Sequence, residues 1–227
     1  MAVYTKINKN DLTSINKKFY FEDFQSFKGI KQGIENTNYL LRSKNKKFIL
    51  TIFEKRVVKK EIPFFMKLMD QLSNLNINCP KPLKNNRGNY LIKVKNKIAC
   101  VVSFLDGKDK KRLNFKNCFD IGKTVAEMHL STKKLKLYRK NSMGIKNLNP
   151  LLNSIKFKSQ KFSNLEKFLK NNFKDIKDKW PKKLPQGIIH GDLFIDNIFF
   201  KGNKLSGIID FYFAANDYFM YEIAICI

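Results

Sequence analysis

The residues of this 227-residue chain best suited to chemistry lie near its end. They are His190-Gly191-Asp192-Leu193-Phe194-Ile195-Asp196-Asn197, followed by Ile208-Ile209-Asp210-Phe211. The first run has the spacing H-x-D-x-x-x-x-N, and the second is an apolar pair followed by Asp-Phe. That is the pattern of a phosphoryl-transfer loop and its metal-binding aspartate. Two short apolar runs flank Lys201-Gly202-Asn203, which predicts a hairpin over Asn197–Phe200 and Leu205–Asp210. In such a hairpin Asn197 leaves one strand where Asp210 ends its partner, and cross-strand neighbours stand within about 5.5 Å. The Asn amide oxygen and the Asp carboxylate then converge as oxygen ligands suited to Mg²⁺ carrying a nucleotide's phosphates. Asp192 is placed to reach an acceptor hydroxyl and take its proton as the phosphoryl group arrives. Chemistry of that kind depends mainly on positioning and charge neutralisation. Each residue alone has a plain structural use, as a turn cap or a strand end. Asp192, Asn197 and Asp210 together, in an apolar frame with a hairpin between them, specify a site.

Such a site needs elements to hold it. The first hundred residues read as short strands around one helix. Asn38–Arg42 and Lys47–Phe53 are β-rich runs joined by Ser43-Lys44-Asn45-Lys46, and Tyr90–Val94 with Lys97–Val102 form a second hairpin. Glu61–Asn76 carries Ile62, Phe65, Met66, Met69 and Leu72 at helical spacing, with Pro63 in its first turn. Phe104-Leu105-Asp106-Gly107 is a turn-prone joint, after which the pattern becomes helical. Phe115–Leu130 sets Phe115, Cys118, Phe119, Gly122, Val125, Met128 and His129 on one side. Phe162–Trp180 repeats Phe162, Leu165, Phe168, Leu169, Phe173, Ile176 and Trp180 between lysines, a stripe expected to be core. The expected fold is α+β and two-lobed: a small antiparallel-sheet N-lobe over residues 1–104 and a mainly helical C-lobe over 105–227.

Composition narrows the partners. A net charge of +26 invites a nucleic-acid reading, but the chain has 40 Lys against 5 Arg. Base and phosphate recognition favours Arg forks, and these lysines are spread along the whole chain. The charge reads as general surface solvation with no specific nucleic-acid partner. Four scattered cysteines without a C-x-x-C pair, and two histidines, exclude a zinc site. The thiols are expected to be buried and reduced, which implies the cytosol. No apolar run approaches the roughly 20 residues of a membrane span.

Longer strings carry a resemblance. Phe27-Lys28-Gly29-Ile30, Ile34-Glu35-Asn36-Thr37-Asn38-Tyr39-Leu40-Leu41, Phe48-Ile49-Leu50-Thr51, Pro63-Phe64-Phe65, the His190–Asn197 loop and Ile208–Asp217 resemble the homoserine kinases. These belong to the aminoglycoside-phosphotransferase and choline-kinase superfamily. The resemblance runs from Ala2 to the last residue and is sharpest at Ile209-Asp210-Phe211-Tyr212-Phe213-Ala214 and Tyr221-Glu222-Ile223-Ala224-Ile225-Cys226. It implies a two-lobed kinase fold, ATP and Mg²⁺ as ligands, and phosphorylation of the L-homoserine hydroxyl for threonine biosynthesis. It further implies that Gly29, Gly33, Asn36 and Asn38 belong to the loop and strand start over the nucleotide phosphates. Phe104 would stand beside the adenine. His190 joins Asp192 in the catalytic loop, where it supports the backbone.

The resemblance has gaps. Kinases generally place a cation on the third strand to meet ATP phosphates, and that position here is Thr51. Lys28, Arg42, Lys55 and Arg56 stand as candidates for the missing charge. Glu61 is the nearest candidate for a helix glutamate, and Asp217 for an ammonium partner or a turn cap. Glu222 stands where the family usually has Asp. The chain stops within the apolar run Tyr221–Ile227 without a cap, so the expectation is a fragment lacking its C-terminal helices.

Overall fold

The computed structural model describes residues 3–31, 35–155 and 163–227. Helix α1 (Lys9–Phe19) opens on a capping box: Asn8 Oδ1 accepts from the Asp11 N–H, and Asp11 Oδ2 accepts from the Asn8 N–H. The expectation of strands around a single helix passed over this Asn-x-x-Asp signal. Five antiparallel strands follow, β1 (Phe24–Gly29), β2 (Thr37–Ser43), β3 (Lys47–Ile52), β4 (Leu91–Val94) and β5 (Lys97–Ser103), in the sheet order β1-β2-β3-β5-β4. Between β3 and β4 in the chain runs α2 (Ile62–Asn74), with proline in its first turn as expected.

Alternation along the strands divides the sheet between the two helices. Leu41, Leu50, Ile52, Ala99 and Val101 join Leu12 and Ile15 of α1 in one apolar cluster. Cys100 and Val102 point the other way, into a cluster with Phe65, Met66, Leu68 and Met69 of α2. This second cluster continues into the C-terminal half, taking in Leu193, Ile198, Phe200, Ile208 and Phe211. The motif-bearing hairpin therefore rests on the same packed interior as α2. Fully burying a side chain of this size is worth about 1.5–3 kcal/mol.

The C-terminal half comprises α3 (Phe115–Thr132), α4 (Ile145–Ser154), α5 (Ser163–Lys179), β6 (Gln186–Ile189), β7 (Ile198–Lys201), β8 (Lys204–Ile208), β9 (Ala215–Tyr218) and α6 (Phe219–Cys226). Strand β6 pairs antiparallel with β9, and β7 with β8. Three expectations change here. The buried face of α3 is Asn117, Ile121, Val125, Met128, His129 and Thr132, which leaves Phe115 and Phe119 exposed. The α5 stripe is not core, since Leu165, Phe168 and Ile176 are 42%, 62% and 49% exposed. Its main packing partner among the described elements is α4, and one helix is too narrow to cover it; Phe162 lies outside the described residues. Cys79 and Cys100 are buried as expected, whereas Cys118 and Cys226 are exposed. No helix among the described residues is long and apolar enough to cross a membrane.

Candidate active site

The site is assembled where β6 ends. The chain turns at Gly191 with φ +78°, and an ideal Cβ there would stand 2.8 Å from the Phe213 carbonyl oxygen. Glycine alone meets both demands. Leu193 is buried and anchors the loop, and the Asn197 N–H closes a 3₁₀ turn onto the Phe194 carbonyl at 3.0 Å. Strand β7 then carries the chain away and β8 returns it. The hairpin contains a bulge, because Phe199 faces Gly207 while Phe200 faces Leu205, leaving Ser206 extra. The Ser206 hydroxyl donates to the Asp106 carbonyl, and Lys108 and Phe200 exchange backbone hydrogen bonds at 3.1 and 2.8 Å. These contacts dock the 104–108 joint on the hairpin.

Asp192, Asn197 and Asp210 come together at the hairpin's mouth. The Asn197 side-chain nitrogen donates to the Asp192 carbonyl at 2.7 Å and to Asp192 Oδ2 at 3.1 Å. This orientation leaves Asn197 Oδ1 as the atom available to a cation. The Ile209 N–H donates to the Asn197 carbonyl at 3.0 Å, which places Asp210 one residue beyond the last rung. Asp210 adopts the left-handed conformation, φ 64° and ψ 57°. For a residue with a Cβ this costs of order 1–3 kcal/mol, and such strain gathers at functional sites. The residue as a whole is exposed, although protein atoms crowd its side chain. Desolvation, with the like charges of Asp192 and Glu35, pushes its pKa up to about 6. The Asp192 carboxyl is also raised above its ordinary range, first by desolvation and further by Asp196, while His190, the Asn197 hydrogen bond and the Arg56 charge hold it back.

His190 does not face the cleft. Its Nε2 donates to the Ile209 carbonyl at 2.8 Å, and Nδ1 accepts from the Asp192 N–H at 3.3 Å. Edge-on packing against Phe211 completes its burial. With both ring nitrogens engaged, His190 supports the loop and has no free atom for proton transfer. Beneath it sits Glu222, fully buried. Its Oε2 accepts from the His190 N–H at 2.6 Å and from His129 Nε2 at 3.3 Å, and Oε1 accepts from the Gly191 N–H at 2.9 Å. Burial pushes the Glu222 pKa up, but the His129 hydrogen bond and the two backbone N–H groups pull harder and hold it below the ordinary value. Glu222 is thus the buried carboxylate that fixes the backbone at the start of the His190–Asn197 loop.

The expected nucleotide residues are placed unevenly. Gly29 ends β1 with its open side filled by Val3 and Tyr39. Asn36 Oδ1 accepts from the Glu54 N–H at 3.4 Å, beside the ends of β2 and β3, and Asn38 Oδ1 accepts from the Thr51 hydroxyl at 2.8 Å within the sheet. Gly33 lies outside the described residues. Phe104 follows β5 at the joint, its N–H bound to the Lys47 carbonyl and its ring beneath the Lys47 ammonium. Asp217 is taken by the Asn141 amide at 2.7 Å and by the Tyr218 N–H, the turn-capping alternative.

Glu61 pairs with Arg139, which sequence reasoning missed. The buried Arg139 guanidinium donates from Nε to Glu61 at 2.8 Å and from Nη1 to the Phe213 and Ala214 carbonyls at 3.3 and 3.1 Å. It also covers the Phe65 ring. One side chain thereby ties the start of α2 to the turn after Asp210. The available signal was its type, one of five arginines in a chain with 40 lysines.

As donors, Asn197 Oδ1 and the Asp210 carboxylate are hard oxygens of the kind Mg²⁺ accepts, with phosphates and water completing its shell. Among the described residues no three His, Cys, Asp or Glu side chains form a self-sufficient metal cage. The donor set therefore fits a cation that arrives with phosphates.

Comparison with known proteins places the chain in a family and a fold. The model of the phosphotransferase enzyme family matches residues 26–227. The chain is 38% identical over 228 residues to a homoserine kinase of Parvibaculum lavamentivorans, covering all of this chain and 71% of that protein. It is 39% identical over 228 residues to a homoserine kinase of Rhizobium etli, again covering all of this chain and 71% of the relative. Among solved structures, an amicoumacin kinase in complex with AMP-PNP and Ca²⁺ superposes with a TM-score of 0.78 at 17% identity, over 97% of this chain and 68% of that one. A choline kinase of Streptococcus pneumoniae gives 0.64 at 19% identity, over 96% of this chain and 74% of that one. At such identities the structural likeness speaks for the two-lobed kinase fold.

Proposed function

The chain belongs to the phosphotransferase enzyme family, among the homoserine kinases, and from that premise we propose that it transfers the γ-phosphoryl group of ATP to the hydroxyl of L-homoserine. The products are O-phospho-L-homoserine, which feeds threonine synthesis, and ADP. The observation that carries the proposal is the meeting of Asp192, Asn197 and Asp210 at one cleft in a chain that matches homoserine kinases along its whole length. Asp192 accepts the hydroxyl proton, and its raised pKa makes it a better base than a surface aspartate. Asn197 Oδ1 and Asp210 would hold Mg²⁺, which would supply charge neutralisation for the phosphates. Glu222 and His190 keep the loop backbone in place, and Arg139 holds the turn after Asp210 against α2.

The test offers MgATP with L-homoserine, choline, methylthioribose and an aminoglycoside in turn. ADP release is followed by a coupled assay and the product by ³¹P NMR, with a full-length relative alongside. Homoserine-dependent ADP release with a new phosphate-ester resonance is expected. ADP release that depends on another acceptor in preference to homoserine would overturn the substrate assignment.

A further inference from the structure

The third-strand position that meets ATP phosphates in other kinases is neutral here. Thr51 is buried, its hydroxyl donates to Asn38, and it also bonds Tyr212. Yet the cleft gathers Asp192, Asp210 and Glu35, whose charges act on one another. A triphosphate brought to three carboxylates needs a cation beyond the one it carries. Arg42 is paired with Lys47 at the far, turn end of β2. Arg56 is different. Its guanidinium lies 5.0 Å from the centre of the Phe213 ring and is ion-paired with Glu35, and its charge is felt at Asp192. Phe213 in turn abuts Gly191, the neighbour of Asp192, so the stacked guanidinium stands beside the catalytic loop.

We propose that Arg56 is the cation that receives the terminal phosphates of ATP at this site, and that Glu35 holds it until the nucleotide arrives. The inference rests on the reading of the site as an ATP-dependent phosphotransferase. The Phe213 ring steadies the guanidinium, whose fork, once exchanged from Glu35, can meet two phosphate oxygens. Glu35 is itself repelled by the incoming phosphates, so the guanidinium exchanges a carboxylate for a phosphate and never stands unpaired. A lysine could not do the same, because its compact ammonium neither stacks flat nor binds in a fork.

The experiment is calorimetric titration of MgATP and of AMP, without acceptor, into the parent chain and into Arg56→Gln, Arg56→Lys and Glu35→Gln. Loss of a charge-assisted contact should weaken MgATP binding by Arg56→Gln about 10- to 100-fold while AMP affinity stays within about twofold. Arg56→Lys should fall between, and Glu35→Gln, which releases the guanidinium, should bind MgATP more tightly than the parent. Equal weakening of MgATP and AMP, or weakening of neither, would overturn the assignment. Should Arg56→Gln fail to fold, Glu35→Gln still decides: unchanged or weaker MgATP binding counts against the exchange. A parent chain that binds no MgATP would overturn the reading of the whole site, whereas differences among the variants bear on Arg56 alone.

Discussion

Replacing Glu222 by glutamine changes no volume and tests how the catalytic loop is held. The two carboxylate oxygens divide three donors: Oε2 takes the His190 N–H and His129 Nε2, and Oε1 takes the Gly191 N–H. Glutamine has one acceptor oxygen, so in either orientation its NH₂ confronts a buried N–H. A buried donor left without a partner costs about 1–3 kcal/mol, and each surviving bond loses roughly 1 kcal/mol when its acceptor is no longer charged. The expected loss is about 3–5 kcal/mol. With a urea slope near 2 kcal/mol/M this lowers the unfolding midpoint by roughly 1.5–2.5 M. Turnover should fall as well, because Gly191 precedes Asp192. The pH dependence adds a signature. The folded-state pKa of Glu222 lies below its ordinary value of 4.5, so its stabilisation is fully present above that value and is lost as pH falls through the lowered one. The gap between parent and Glu222→Gln should narrow below pH 4.5. Glu222→Asp keeps the charge and should cost less than Glu222→Gln. An unchanged urea midpoint in Glu222→Gln would refute the reasoning.

Asp192→Asn should lower turnover by about 10²–10⁴ and leave MgATP affinity near the parent's in calorimetry. Because the Asp192 pKa is raised above 3.8 and the base must be ionised, parent turnover should decline as pH drops through that raised value. Asp210→Ala removes a carboxylate ligand and should abolish the Mg²⁺ dependence of nucleotide binding, read by titration with and without the metal. Gly207 has φ +154°, and a Cβ there would strike the Asn78 carbonyl. Gly207→Ala should therefore cost about 2–4 kcal/mol in denaturant unfolding. Any nucleic-acid affinity should be weak and fall steeply with salt in a filter-binding series, since it would come from diffuse lysine charge.

What the sequence determined by itself is the arrangement of the candidate site residues carried on one short stretch. Asp192, Asn197 and Asp210 lie on a loop and a single hairpin, and the Lys201-Gly202-Asn203 turn with its apolar flanks dictates how they meet. Local turn chemistry and strand alternation suffice for that, as they did for β2, β3, β4, β5 and α2. The tertiary structure decided whatever joins distant segments. Glu222 under His190, Arg139 on Glu61, and Arg56 between Glu35 and Phe213 are pairings across 21 to 157 residues that no spacing announces. The same holds for which face of α3 is buried and for the exposure of the α5 stripe. Helical periodicity states that an apolar face exists, but burial depends on what lies opposite. Phe115 and Phe168 stand in solvent because no described element covers them, while Asn117 is buried because its amide bonds the Asn203 carbonyl of the catalytic hairpin. A side chain's fate is set by the free energy of its surroundings, and those surroundings are supplied by residues remote in the chain.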